Sequence, residues 1–397
     1  MRRAQGIAAF VSLGLYMKDE TEMSAEPQLQ PSIQAAAPAP AVQWLEGELA
    51  LPQSFVLESG AILSNATLAW SCVGPVDAPV IVVLGGISAH RRPVARDGKG
   101  WWESQCGAGK ALDTDRYRLV GIDWLGGCDA STGPNSVHAE RSSQSERSRS
   151  APESFDSGPA GLRSGRTEKT DFPAISTGDQ ARALLLLLNR LGVRRVHLVV
   201  GASYGGNVAQ QLAALLGDRL RHLVLLSAAH RASQFGLALR HVQRAILDLG
   251  GTTATTEALA LARSLAVLGY RTAEGVEQRF GGESPNDAQA DGQKENGVVG
   301  WVEHHGRKFV RRFDADAYRC LGRSLDTHEI DPAAVRVPTT LFAVRDDLTV
   351  PLSLLREYHA RAGAACELVE ISSDYGHDAF LKEEAIVNRL FEQCLHV

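Results

Sequence analysis

One short stretch constrains this chain more than any other. Gly201-Ala202-Ser203-Tyr204-Gly205 follows the apolar run Val196-His197-Leu198-Val199-Val200 and precedes Asn207-Val208-Ala209-Gln210-Gln211-Leu212-Ala213-Ala214-Leu215-Leu216. The run reads as a buried strand and the segment after it as a helix. A strand that turns at once into a helix crowds its own backbone. Residues lacking a Cβ on either side let the intervening serine take the strained corner with its hydroxyl exposed. The sequence therefore predicts a serine nucleophile at the end of a strand, and an enzyme built around it.

The strand and helix signals on either side agree with a layered α/β architecture. Glu46–Leu51, Phe55–Leu57 and Ala66–Cys72 read as an antiparallel entry. Pro79–Leu84, Tyr117–Trp124, Leu223–Ser227, Thr339–Val344 and Glu367–Ile371 read as strands, and Ala181–Leu191, Leu352–Ala362 and Glu383–Cys394 as helices. Asp179 is the expected cap of the first of these. This alternation predicts a mostly parallel sheet covered on both faces. Between residues 231 and 311 strand signals vanish and helical ones take over, with Leu237–Leu249 and Thr256–Leu268 as expected helices and a polar loop over 281–297, which predicts a helical lid inserted into the core. Residues 24–43 are rich in Ala, Pro and Gln, and 135–169 in Ser, Arg and Glu, compositions that cannot bury enough apolar surface to order themselves. The expected organisation is a disordered leader over 1–43, a core over 44–230 interrupted by a disordered loop at 135–169, the lid over 231–311, and the rest of the core over 312–397.

A net charge of −5 leaves no overall basic field to recruit nucleic acid or an anionic membrane surface. Six scattered cysteines form no C-x-x-C pair, which argues against a structural zinc site and suits a reducing cytoplasm. Arg2-Arg3 and the mildly apolar residues 6–17 resemble a short signal-peptide core, but no small-residue cleavage site follows and the run is too short to span a bilayer; they are read as an upstream extension, with Met17 or Met23 as a candidate start and an export signal as the alternative. No bound metal or cofactor is expected.

A serine hydroxyl needs a base to take its proton and a carboxylate to orient that base. After the strand Thr339–Val344 comes Arg345-Asp346-Asp347, and after the next strand comes Ser373-Asp374-Tyr375-Gly376-His377-Asp378. Acid and histidine thus follow the serine in the order, and at the strand ends, that an α/β-hydrolase fold requires. Ser203, Asp346 and His377 are the expected triad, with Asp347 as the alternative acid. The N–H of Tyr204 and the backbone of Gly85 or Gly86 are the expected donors to a developing oxyanion.

These residues are similar to a known family, the homoserine O-acyltransferases, and most of all to its homoserine O-acetyltransferase type. The likeness rests on Gly100-Trp101-Trp102, the segment 107–117, Leu125-Gly126-Gly127-Cys128, Ser131-Thr132-Gly133-Pro134, Phe172-Pro173, the serine turn, Tyr270-Arg271-Thr272, Lys308-Phe309 with Arg312-Phe313-Asp314, and 373–381. The resemblance implies a ping-pong transfer in which Ser203 takes the acyl group of acetyl-CoA and passes it to the side-chain hydroxyl of L-homoserine, the first committed step of methionine biosynthesis. Acyl-CoA would be a co-substrate rather than a bound cofactor. It further implies that Arg271 holds the amino-acid carboxylate, that Asp378 holds its ammonium group, and that the protein is a homodimer joined through its lid. A succinyl donor, a serine acceptor and an esterase using water remain the alternatives. Three departures fall near the expected pockets: Asn207 where the family has methionine, Val299-Gly300-Trp301-Val302 where it has Glu-Ser-Tyr-Leu, and Leu84-Gly85-Gly86-Ile87-Ser88-Ala89-His90 as the first oxyanion loop. Arg91, Arg92 and Lys99 read first as a solvated surface, with a local patch for the CoA phosphates as the alternative.

Overall fold

The computed structural model describes residues 42–94, 96, 98, 100–136, 172–251, 253–282, 297–362 and 365–396. Nearly all of the expected leader and of the 135–169 loop, most of the 281–297 loop, and Lys99 lie outside the described residues.

Eight strands form the central sheet. They are β1 (Gln43–Ala50), β2 (Thr67–Gly74), β3 (Val80–Leu84), β4 (Arg118–Ile122), β5 (Val196–Ala202), β6 (Leu220–Leu226), β7 (Thr339–Val344) and β8 (Cys366–Ile371). The spatial order is β1-β2-β4-β3-β5-β6-β7-β8. β2 runs antiparallel to both its neighbours, and every other pairing is parallel. The chain leaves β3 for one side of the sheet and leaves β5 for the other. The loops after these two adjacent strands therefore part, opening the crevice in which open α/β sheets place their sites. Gly85-Gly86 and Ser203 stand at its two lips.

Both faces of the sheet are buried, which explains why its inner strands are apolar without interruption. Successive side chains alternate between faces: Val80, Val82 and Leu84 pack in one core layer with Leu184, Leu187 and Leu212, whereas Ile81 and Val83 pack in the other with Leu390, Phe391 and Trp102. The first layer is roofed by α1 (Thr177–Arg190) and α2 (Tyr204–Leu216). α1 does not start at Asp179. Its cap is Ser176, whose Oγ accepts the Asp179 N–H while Asp179 Oδ2 accepts the Ser176 N–H, both at 2.9 Å. Asp179 is thus the third helical residue of a capping box, and its other oxygen accepts Glu58 N–H at 2.9 Å.

The lid comprises α3 (Gln234–Gly250), α4 (Thr255–Gly269), α5 (Ala273–Phe280) and α6 (Gly297–Phe309). α7 (Ala315–Asp326) lies beyond the expected lid boundary but packs on α3 and α4, with Tyr318 edge-on to Phe309 and its hydroxyl donating to Gln243 Oε1 at 2.8 Å. The chain then returns through β7, α8 (Leu352–Ala362), β8, α9 (Ala379–Lys382) and α10 (Glu384–His396). The last helix seals the second core layer with Val387, Leu390, Phe391, Cys394 and Leu395.

Candidate active site

Ser203 sits between β5 and α2 at φ 52, ψ −121, a conformation that residues with a Cβ rarely adopt. Its own N–H is held by Leu226 O at 2.9 Å, and Gly205 N–H by Gly85 O at 2.8 Å. The flanking glycines are a packing requirement. A Cβ on Gly201 would lie 2.6 Å from both Gly206 Cα and Ala209 Cβ, and one on Gly205 would run into the backbone of Leu84. Strand, turn and helix meet too closely at these two positions for any side chain.

His377 arrives on a single helical turn, Gly376–Asp378, after β8. Its Nε2 is 2.8 Å from Ser203 Oγ. Its Nδ1 is 2.7 Å from a carboxylate, and that carboxylate is Asp347 Oδ2 rather than Asp346. Asp346 points into solvent. The turn after β7 decides between the neighbours: Asp347 N–H returns to Val344 O at 3.3 Å, which brings the side chain inward. Asp347 Oδ1 then accepts Thr349 N–H, Thr349 Oγ–H and Val350 N–H, each at 2.9 Å. One oxygen is thereby locked by the loop and the other is left for the imidazole.

Burial is the largest influence on the His377 pKa and opposes protonation, yet the charge and hydrogen bond of Asp347, helped by Asp378, outweigh it, and the net movement is upward from 6.5. Arg240 opposes the rise, so its charge is felt at the imidazole. Tyr270 lies against the ring at 5.4 Å between centroids and Phe380 meets it edge-on at 6.0 Å. The arrangement can move a proton from the serine to Nε2 while Asp347 stabilises the imidazolium and fixes its tautomer.

Tyr204 opens α2, and the first amides of a helix have no acceptor within it, so its N–H is free to meet an oxyanion beside Ser203. Of the two glycines after β3, Gly86 lines the reaction cavity. Gly85 packs into the serine turn, its carbonyl accepting Gly205 N–H and its Cα facing Ala89 and Trp101. Gly86 O accepts from Ala89 N–H at 2.9 Å and Trp124 Nε1–H at 3.2 Å, and Arg312 of the lid exit donates to Ser88 O. Behind this wall, Trp124 stands edge-on to Tyr204 at 4.9 Å. The Tyr204 hydroxyl lies 2.9 Å from Ser324 Oγ and accepts from Gln180 Nε2 at 3.2 Å. Gln180 also pairs with both backbone groups of Leu125. This buried network sets the position of the cavity wall, and no local sequence pattern announced it.

Arg271 and Asp378 meet in an ion pair of 3.0 Å. Asp378 lines the cavity that holds Ser203 and His377, whereas Arg271 lines a neighbouring recess with Arg279, Trp301 and Tyr375. Its guanidinium lies 6.0 Å from the Trp301 ring and 5.3 Å from that of Tyr375, and its Nε has no hydrogen-bond partner. Arg91 and Arg92 are engaged by Asp123 and Glu46, which favours a structural role for these members of the basic patch. The cavity itself is about 200 Å³ and is walled partly by lid residues, among them Arg240, Gln243 and Arg244 of α3. The spacing of these three puts them on one helix face, a signal present in the sequence.

Residues 79–384 match the family description "alpha/beta hydrolase fold". A homoserine O-succinyltransferase of Xanthomonas campestris pv. campestris is 38% identical over 320 residues, covering 80% of this chain and 75% of that protein. A homoserine O-acetyltransferase of Symbiobacterium thermophilum is 34% identical over 395 residues, covering 91% and 97%. Among solved structures, a homoserine O-acetyltransferase from Staphylococcus aureus superposes with a TM-score of 0.70 at 23% identity over 89% of this chain and 96% of its own. Esterase E22 gives the same score at 18% identity over 89% and 100%. At such identities the two structures speak for the fold alone.

Proposed function

We propose that this chain, which belongs to the homoserine O-acyltransferase family of the α/β hydrolases, transfers an acetyl group from acetyl-CoA to the side-chain hydroxyl of L-homoserine through an ester on Ser203. The observation that carries the reading is the unbroken relay Ser203 Oγ, His377 Nε2, His377 Nδ1, Asp347 Oδ2, with steps of 2.8 and 2.7 Å, opening into a cavity partly walled by a lid. In the first half-reaction Ser203 Oγ attacks the thioester carbonyl and its proton passes to His377 Nε2. The C–S bond breaks as the CoA sulfur leaves with that proton. In the second, the homoserine hydroxyl gives its proton to Nε2 and its oxygen attacks the serine ester, and the proton returns to Ser203 Oγ as it is expelled. In both, negative charge gathers on the carbonyl oxygen, where Tyr204 N–H and the Gly86 loop can meet it.

The acceptor is a zwitterion, and the Arg271–Asp378 pair offers one partner to each of its charges. Arg271 has an unused Nε beside the ion-paired Nη2, which suits a carboxylate bound through two oxygens. The six cysteines are free thiols, and among the described residues no helix is long and apolar enough to cross a membrane; both support the reading of a cytoplasmic biosynthetic enzyme at the entry to methionine synthesis. Leu249, Leu261 and Val299 are 89%, 59% and 65% exposed on the lid helices, which supports a homodimer formed through that surface and measurable by light scattering.

A fold shared with esterases makes water the competing acceptor. Incubation with acetyl-CoA, with and without L-homoserine, separates the two by thiol release and product mass. Acyl transfer requires release to depend on the amino acid after the first turnover; release at the same rate without it would identify a hydrolase.

A further inference from the structure

The lid grips the turn that delivers His377. Between α4 and α5, Thr272 Oγ1 donates to Asp374 O at 2.9 Å and accepts Gly275 N–H at 2.9 Å, so one buried hydroxyl caps α5 and ties it to the loop after β8. On either side of that bond the two segments meet backbone to backbone. A Cβ on Gly275 would lie 2.1 Å from Asp374 O, and one on Gly376 would lie 2.9 Å from Tyr270 O. Past the histidine, Asp378 pairs with Arg271 at 3.0 Å. Residues 270–275 thus hold the loop both before His377 and after it.

The imidazole itself is met by the same segment. The Tyr270 ring lies 5.4 Å from that of His377, inclined at 35°. Tyr270 is in turn backed by Arg263 of α4, whose guanidinium lies 5.3 Å from the Tyr270 ring and 4.7 Å from that of Phe309 at the end of α6. The turn's own bonds are local, Gly376 N–H to Ser373 O at 3.1 Å and Asp378 N–H to Tyr375 O at 3.0 Å. They set its shape and not its distance from Ser203. Asp347 holds Nδ1, and a single hydrogen bond leaves the ring free to pivot about it. A base has to stand within about 2.6–3.2 Å of the group whose proton it takes, and a displacement of about 1 Å can cost about 10²-fold in rate.

We infer that Tyr270, Thr272 and Gly275 are positioning residues, through which the seated lid sets His377 Nε2 at hydrogen-bond distance from Ser203 Oγ. The relay is complete only while lid and loop stay locked, so the lid contributes to proton transfer as well as to the cavity wall. The inference rests on the Ser203–His377 relay and is independent of which acceptor the enzyme uses.

The test is the rate at which diisopropyl fluorophosphate labels Ser203, followed by intact mass. In that reaction Ser203 Oγ bonds to phosphorus, fluoride leaves and the serine proton passes to His377, with neither CoA nor amino acid involved. Thr272→Val keeps the shape of the side chain and removes the hydroxyl; it should slow labelling by about 10- to 100-fold, the scale of a displacement of up to about 1 Å. Thr272→Ser returns the hydroxyl and should restore the rate. Gly275→Ala leaves the Thr272 cap in place and favours the helix, so its expected slowing, from the pressure of a methyl on Asp374 O, does not come from a frayed α5. In thiol release from acetyl-CoA both slow variants should lose kcat with the KM for the donor unchanged. A wild-type labelling rate in either of them, even with a raised KM, would confine the lid to holding substrate and overturn the inference; so would a loss in Thr272→Val that serine does not restore. A protein that hydrolysed acetyl-CoA without homoserine would sink the transfer reading and leave this comparison intact.

Discussion

Replacing Asp347 by Asn separates the proposed triad of Ser203, His377 and Asp347 from the one expected from the sequence, with its acid one residue earlier. The substitution keeps the size of the side chain and its role in the Thr349–Val350 turn but removes the negative charge 2.7 Å from His377 Nδ1. A unit charge about 4 Å from the imidazolium is worth about 4 kcal/mol at an effective dielectric of 20, or about 10³ in rate if it acts only in the transition state. The Asn amide can also donate to Nδ1 and so favour the wrong tautomer, which brings the expected loss in kcat to about 10⁴. The pH profile supplies an independent sign. His377 must be neutral to act as a base, and its pKa is raised above 6.5 despite burial, chiefly by Asp347. The acid limb of kcat/KM in the wild type should therefore lie above pH 6.5, with activity lost as pH falls through it. In Asp347→Asn only burial, Arg240 and the weaker Asp378 act on the ring, and the limb should move to lower pH. Asp346→Asn, at an exposed position, should leave both rate and limb within about threefold of wild type, as surface substitutions usually do. Steady-state thiol release at saturating homoserine, between pH 5.5 and 9, decides the matter. An Asp346→Asn loss as large as that of Asp347→Asn would return the role of orienting acid to Asp346.

Ser203→Ala should abolish turnover and the acyl adduct seen by intact mass after mixing with acetyl-CoA; an adduct in this variant would rule out the serine ester. Arg271→Leu should raise the KM for homoserine by about 10- to 100-fold while the initial thiol burst persists, and an unchanged KM would remove Arg271 from acceptor binding. Tyr204→Phe deletes a hydroxyl shared by Ser324 and Gln180 deep in the core. A loss of about 1–3 kcal/mol in urea unfolding is expected, and an unmoved midpoint would show that this network does not hold the cavity wall.

What the sequence determined by itself is local. The serine turn is legible in part because Gly201 answers a clash with Gly206 and Ala209 a few positions along the chain, whereas Gly205 answers the backbone of Leu84 on the neighbouring strand. The inner strands are legible because a sheet buried on both faces demands continuous apolar runs. The order of nucleophile, acid and base follows from strand order. The tertiary structure decided whatever depended on direction. Asp346 and Asp347 are identical in chemistry and adjacent in the chain, and only the loop bonds of Thr349 and Val350 turn one inward and leave the other in water. Likewise Gly86 lines the cavity while the Gly85 carbonyl is taken up in the packing of the serine turn. Arg240 and Arg244, far from Ser203 in sequence, reach its cavity only because α3 folds back over the sheet ends. Composition and periodicity report which residues can be buried. Which of them meet is settled by packing, where a rotation of one residue separates a carboxylate bonded to His377 from a solvated one.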